Sequence, residues 1–117
     1  MGYNGHWTAQ GRRRIATLSV GYADGYLRTA SGTNLKAGGE AVVAGVRCPF
    51  AGRISMDLIT LDVSAVPEGA IQRGDKVTLI GNGLTIDEVG KRAGTIGYEI
   101  LTSLGRRYHR RYLPATV

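Results

Sequence analysis

Short apolar runs separated by glycine and proline follow one another along the first 80 residues of the chain. They occupy residues 15–20, 41–44, 47–50, 53–63 and 76–80. Apolar, β-branched runs of about four to eight residues bounded by turn residues are typical of strands, because helices need longer periodic segments. The pattern therefore predicts a mainly β domain.

Two helices are predicted later in the chain. Thr85 is followed three positions on by Glu88, which is the capping-box spacing at a helix start, and Gly94 provides a stop. Thr95 is positioned to cap a second short helix that ends at Gly105. Residues 106–113 alternate charged and aromatic side chains, which predicts a terminal edge strand. The fold class expected is mainly β, a small closed or nearly closed Greek-key-like β-barrel with two short helices near the C-terminal end.

Composition narrows the class of protein. The 117 residues form one domain, residues 1–117, and 43% hydrophobic against 21% charged residues is typical of a folded chain. No apolar run approaches the roughly 20 residues of a membrane helix, and no signal peptide is evident, so we expect no membrane association and a cytoplasmic location. One cysteine, Cys48, and two histidines are too few for a disulfide framework or a metal site.

The net charge of +6 raises a second class of function. The excess is concentrated in residues 12–14 and 106–111, and a basic β-barrel with arginines and tyrosines can bind nucleic acid as OB-like folds do. Acidic residues lie between the two basic clusters and no stacking platform is evident. Nucleic-acid binding is therefore kept as the alternative hypothesis, and we expect no nucleic-acid partner.

Three segments, in a fixed order, carry a resemblance to a known family. They are residues 19–26 (SVGYADGY), 52–57 (GRISMD) and 93–101 (AGTIGYEIL), with Arg106-Arg107-Tyr108 after them. Together they resemble alanine racemase, and the match extends over essentially the whole chain. It covers the family's C-terminal β-domain only, beginning at Gly2-Tyr3, whereas the family's N-terminal (β/α)₈ barrel has no counterpart here.

The resemblance implies an isomerase that interconverts L- and D-alanine on pyridoxal phosphate and supplies D-alanine, a peptidoglycan precursor. The family uses two bases, a lysine of the N-terminal barrel that also holds the cofactor and a tyrosine of the partner subunit's C-terminal domain. Tyr3 is the counterpart of that tyrosine. A free phenol has a pKa of about 10, so its site must favour the phenolate through cations or hydrogen-bond donors. The resemblance thus implies a homodimer, and we expect the chain alone to hold no cofactor and to be inactive.

The resemblance also assigns substrate contacts. Met56 matches the position whose backbone N–H meets the substrate carboxylate. The positions that match the substrate access channel near the dimer interface are Tyr22, Asp24, Arg28, Arg53, Asp57 and Tyr98. Plainer explanations stay open: Met56 could be a core methionine on a strand, Tyr22 and Asp24 could serve the turn alone, and Arg28 could be ordinary surface charge.

Overall fold

The apolar runs form four short strands, and two short helices follow them. This computed structural model describes residue 5 and residues 7–114. The elements are β1 (Ile15–Leu18), β2 (Glu40–Val43), β3 (Val46–Pro49), β4 (Ile59–Asp62), α1 (Ile86–Arg92) and α2 (Gly97–Ser103). Two 3₁₀ turns lie between β1 and β2, at Tyr22–Asp24 and Arg28–Ala30. The prediction of a mainly β domain with two short helices near its C-terminal end is confirmed.

The strands form two antiparallel pairs. β1 pairs with β4, so that Ile15 lies opposite Asp62. β2 pairs with β3 through a two-residue turn in which Ala44 and Gly45 have φ values of 50° and 77°. Two consecutive residues with positive φ match the twist of the flanking strands, which is why such turns close tight hairpins. Beyond β3 the chain crosses to the other pair, where the Ala51 N–H donates to the carbonyl of Thr60 at 2.8 Å.

The predicted closed barrel is wrong. Within residues 7–114 each sheet has only two strands; the isolated bridge Phe50–Leu61 connects the two sheets, and the bridge Val42–Thr78 joins β2 to residues 76–80. Residues 76–80 contribute a single bridge to β2 because they lie between Gly74 and Gly81, whose φ values of 96° and 116° take the backbone out of the extended conformation. Residues 106–113 form no strand, since nearly all of their side chains are exposed and they offer no apolar face to bury.

The core fills the space between the two sheets and α1. Its largest fully buried side chains are Ile54, Ile59, Leu61, Leu84, Val66 and Cys48. The rings of Tyr26 and Phe50 lie 5.5 Å apart in a tilted arrangement at its edge. Burial, with a smaller contribution from Tyr108, raises the pKa of Tyr26 to about 12. Each fully buried aliphatic side chain contributes about 1.5–3 kcal/mol, so this cluster carries most of the stability of a domain with few strands.

Helix α1 begins as predicted. The Thr85 hydroxyl accepts a hydrogen bond from the Glu88 N–H at 3.1 Å, and Gly94 follows the helix with a φ of 75°. The Glu88 carboxylate binds two arginines, Arg47 of β3 and Arg92 of α1 (3.1 Å to Nε). The pair with Arg47 attaches α1 to the hairpin, whereas the pair with Arg92 lies within the helix.

Helix α2 begins one residue later than predicted. Its N-cap is Ile96, because the Thr95 N–H donates to the carbonyl of Gly90 and so completes the end of α1. Each α-helix is seven residues long, and no helix in the described part of the chain is long and apolar enough to cross a membrane.

Gly25 lies where the neighbouring backbone leaves no room for a side chain. A Cβ at Gly25 would lie 1.7 Å from the carbonyl oxygen of Ser103, whereas Gly74 has a similar φ (96° against 92°) and open space around it. We expect Gly74→Ala to cost about 1–2 kcal/mol, the penalty for a left-handed alanine. Gly25→Ala should cost more than about 4 kcal/mol because backbone has to move. Equal losses of unfolding free energy in urea would contradict the close approach.

The ion pairs of Glu88 make the stability of the fold depend on pH. Hydrogen bonding from Arg47, and secondarily from Arg92, holds the pKa of Glu88 below its usual 4.5. The ion pairs therefore stabilise the fold above pH 4.5 and are lost as pH falls through the lowered pKa. In Glu88→Gln the melting temperature should fall less steeply between neutral pH and about pH 3. Glu68→Gln, at an exposed turn, is the matched control and should leave the slope as it is in the unmodified chain.

Candidate functional site

Two segments that are far apart in the sequence lie against each other. We call residues 21–26 the bend and residues 53–57 the loop. The Tyr22 N–H donates to the carbonyl of Ser55, and the Ala23 N–H donates to the carbonyl of Met56, both at 3.0 Å. A Cβ at Gly21 would lie 2.2 Å from the Ser55 oxygen, so only glycine permits this approach. The bend and the loop therefore form one rigid surface.

The contact fixes the direction of one peptide group. The Ser55 carbonyl faces the bend, and the described chain contains no cis peptide bond. In a trans peptide the C=O and the N–H point in opposite directions. The Met56 N–H, which shares a peptide plane with the Ser55 carbonyl, therefore points away from the bend.

Asp24 anchors the bend from inside. It is only 5% exposed, and its carboxylate accepts hydrogen bonds from the Gly21 N–H (3.0 Å, to Oδ2) and from Arg107 Nε (3.1 Å, to Oδ1). The other arm of the same guanidinium, Nη2, lies 2.8 Å from Asp57 Oδ1 in the loop. Hydrogen bonding to Asp57, followed by the charge of Asp24, raises the pKa of Arg107. One arginine thus joins the bend and the loop.

The turn that contains Arg28 holds the other end of the loop. The Ser31 hydroxyl donates to the Arg28 carbonyl at 2.6 Å and accepts from the Ile54 N–H at 2.8 Å. In the loop itself, Arg53 Nε is buried and has no hydrogen-bond partner among the described residues. A buried guanidinium N–H is costly unless an acceptor meets it, so this position suits an anionic group from outside the described chain.

The exposure of the predicted site residues shows which side chains lie at the surface and which are buried in the structure. Met56 is 48% exposed, which excludes the core-methionine explanation. Tyr22 and Tyr98 are 37% and 78% exposed, so both rings lie at the surface of the described structure. Asp24 is buried and fully engaged in the bend. Tyr3 lies outside the described residues.

The structure brings most of the predicted residues together. The bend, the loop and the adjacent turn hold Tyr22, Asp24, Arg28, Arg53, Met56 and Asp57. Tyr98 lies in the first turn of α2, whose C-terminal end reaches the bend at Gly25. Sequence reasoning missed the pairing role of Arg107. Arg107 stands in the Arg106-Arg107-Tyr108 motif of the resemblance, but the sequence does not show which of the four arginines in residues 106–111 pairs with the two aspartates.

The charged groups of this surface fit an anion and do not fit pyridoxal phosphate as a resident group. The three lysines of the chain, Lys36, Lys76 and Lys91, are all exposed and lie outside the bend and the loop. A carboxylate, in contrast, is complementary to a directed backbone N–H and to an arginine whose Nε meets no acceptor among the described residues.

The chain is similar to a known family of proteins. The family described as "Alanine racemase, C-terminal domain" matches residues 1–112. An alanine racemase from Methylobacterium nodulans is 63% identical over 112 residues, which are 96% of this chain and 29% of that protein. A catabolic alanine racemase from Agrobacterium fabrum is 50% identical over 97% of this chain and 28% of its own length. The chain thus spans less than a third of these relatives.

Solved structures share the fold. The biosynthetic alanine racemase from Pseudomonas aeruginosa superposes with a TM-score of 0.85 at 46% identity, covering 97% of this chain and 30% of that one. The alanine racemase from Bartonella henselae, solved with covalently bound pyridoxal phosphate, gives 0.86 at 40% identity over the same shares. By its sequence and its fold, the chain belongs to the alanine racemase family, whose C-terminal domain it matches.

Proposed function

We propose that the chain acts as the C-terminal domain of a pyridoxal phosphate-dependent alanine racemase that interconverts L- and D-alanine in the cytoplasm for peptidoglycan synthesis. The observation that carries the proposal is the Ser55 carbonyl bound to the bend, which aims the Met56 N–H away from the bend. The match of residues 1–112 to the family and the racemase names of the relatives support it.

The site residues of this chain would recognise and orient the substrate. The Met56 N–H donates to the carboxylate of alanine, and the buried Nε of Arg53 adds positive charge beside it. Arg28 attracts the same anion at the mouth of the site, while Tyr22 and Tyr98 narrow the access channel. Asp57 restrains the loop through Arg107.

The reaction needs two proton-transferring groups, one on each face of the substrate. Tyr3 is the group that this chain supplies: its phenolate accepts the proton of the substrate Cα, or its phenol returns one, in the active site of the partner subunit of a homodimer. Pyridoxal phosphate would be held by the remainder of the enzyme, including its lysine, where it acidifies the Cα proton. The chain alone would then have neither the cofactor nor the second base.

The basic charge does not require nucleic acid as a partner. Arg47 and Arg92 share the carboxylates of Glu40 and Glu88, and Arg107 is paired with Asp24 and Asp57. Arginines whose charge is balanced by a carboxylate within the domain attract phosphates less strongly than unpaired arginines do.

The test is Tyr3→Phe in a full-length racemase that carries this domain. Removing the phenolic base should lower the rate of L-alanine racemisation by about 10²–10⁴-fold, because no other group returns or removes a proton on that face. D-alanine formation is followed by chiral chromatography, and Tyr112→Phe, at an 86% exposed ring, is the matched control. Normal turnover in Tyr3→Phe would refute the role of Tyr3, and D-alanine production by the 117-residue chain with added pyridoxal phosphate would refute its dependence on the remainder.

A further inference from the structure

We propose that Arg107 is a positioning residue for substrate binding, which holds the loop against the bend and thereby fixes the direction of the Met56 N–H. The inference rests on the proposed role of Met56 in carboxylate recognition. It adds a residue of the C-terminal segment, outside the bend and the loop, that acts on the substrate through Asp24 and Asp57.

The Asp24 carboxylate makes a cation necessary at this place. Only 5% of Asp24 is exposed, and the Gly21 N–H satisfies one of its oxygens. A buried carboxylate without a counter-charge is strongly destabilising. Arg107 Nε meets the other oxygen at 3.1 Å, so the buried charge recruits the C-terminal segment to the bend.

The same guanidinium reaches the loop with a second nitrogen. Nη2 contacts Asp57 at 2.8 Å while Nε contacts Asp24, so one planar group spans two carboxylates on two segments. Lysine has a single nitrogen on a flexible stem and cannot reproduce this planar fork. The segment itself is fixed nearby, because the Gly105 N–H donates to the Asp24 carbonyl at 2.8 Å and Arg110 Nη2 donates to the Gly105 carbonyl at 2.9 Å.

Two of the attachments of the loop lie on either side of the Met56 N–H. The Ser55 carbonyl is bound to the Tyr22 N–H before it, and the Asp57 side chain is bound to Arg107 after it. Backbone restrained on both sides cannot rotate the intervening peptide group freely. Without the Asp57 attachment the loop keeps its hydrogen bonds to Tyr22, Ala23 and Ser31, but the Asp57 side chain is no longer tied to the C-terminal segment.

The experiment compares Arg107→Gln, Arg107→Lys and Asp57→Asn with Arg106→Gln in the full-length enzyme loaded with pyridoxal phosphate. Arg106 is the adjacent exposed arginine and serves as the matched control. In the three test variants the KM for both alanine enantiomers should rise about tenfold, with kcat changed less, because the Met56 N–H binds the carboxylate equally in ground and transition states. The inhibition constant of propionate, which keeps the carboxylate and lacks the amino group, should rise in parallel.

A double variant separates positioning from general damage. If Arg107 acts through Asp57, the KM of Arg107→Gln/Asp57→Asn should be close to that of Arg107→Gln alone, since the second change removes nothing further. Additive increases would overturn the inference. Asp57→Asn retains the buried Asp24–Arg107 pair, so it provides the test if Arg107→Gln does not fold.

Amide hydrogen exchange provides a readout that does not need activity. The N–H groups of Tyr22 and Ala23 are hydrogen-bonded to the loop, and in Arg107→Gln and Asp57→Asn they should exchange about tenfold faster than in the unmodified enzyme. Unchanged exchange, or KM values equal to those of Arg106→Gln, would overturn the positioning role. Failure of the proposed function would appear differently, as absence of racemisation in the unmodified enzyme, and the exchange result would still decide whether Arg107 holds the loop.

Discussion

The site depends on one buried charge. Asp24 lies inside the bend with its carboxylate out of contact with solvent, and the structure satisfies it with the Gly21 N–H and with Arg107. Because a carboxylate in that position requires a cation, three parts of the chain have to meet: the bend, the loop through Asp57, and the segment after α2. The local geometry of the site follows from satisfying that charge.

Close backbone contacts make the arrangement specific. The domain has only two pairs of four-residue strands in its described part, so extended sheet cannot supply much rigidity. Rigidity comes instead from close backbone contacts that only glycine permits. A Cβ at Gly21 would clash with the Ser55 carbonyl, and a Cβ at Gly25 would clash with the Ser103 carbonyl. Packing therefore explains residues 19–26 as much as chemistry does. The two glycines of this segment leave room for the backbone of the loop and of α2, and Asp24 binds the arginine that holds the loop.

Local features were predictable from the sequence, and pairings between distant segments were not. The strands at residues 15–18, 40–43, 46–49 and 59–62 and the Thr85 cap follow from short-range patterns. The barrel was wrong because closure depends on whether residues 76–80 and 106–113 find partners, which hydrophobic alternation does not encode. The site residues Met56, Asp57 and Arg53 came from the resemblance to a family, and the pairing of Arg107 required coordinates because Arg106 and Arg107 are equivalent in a one-dimensional pattern.

The central claim is that this domain presents the Met56 N–H to a carboxylate. The most direct measurement is a crystal structure of the full-length enzyme with alanine or propionate bound at the active site. The account predicts a carboxylate oxygen about 2.9 Å from the Met56 nitrogen, within hydrogen-bonding distance, with Arg107 still bridging Asp24 and Asp57. A carboxylate held elsewhere, with the Met56 nitrogen beyond hydrogen-bonding distance, would contradict it.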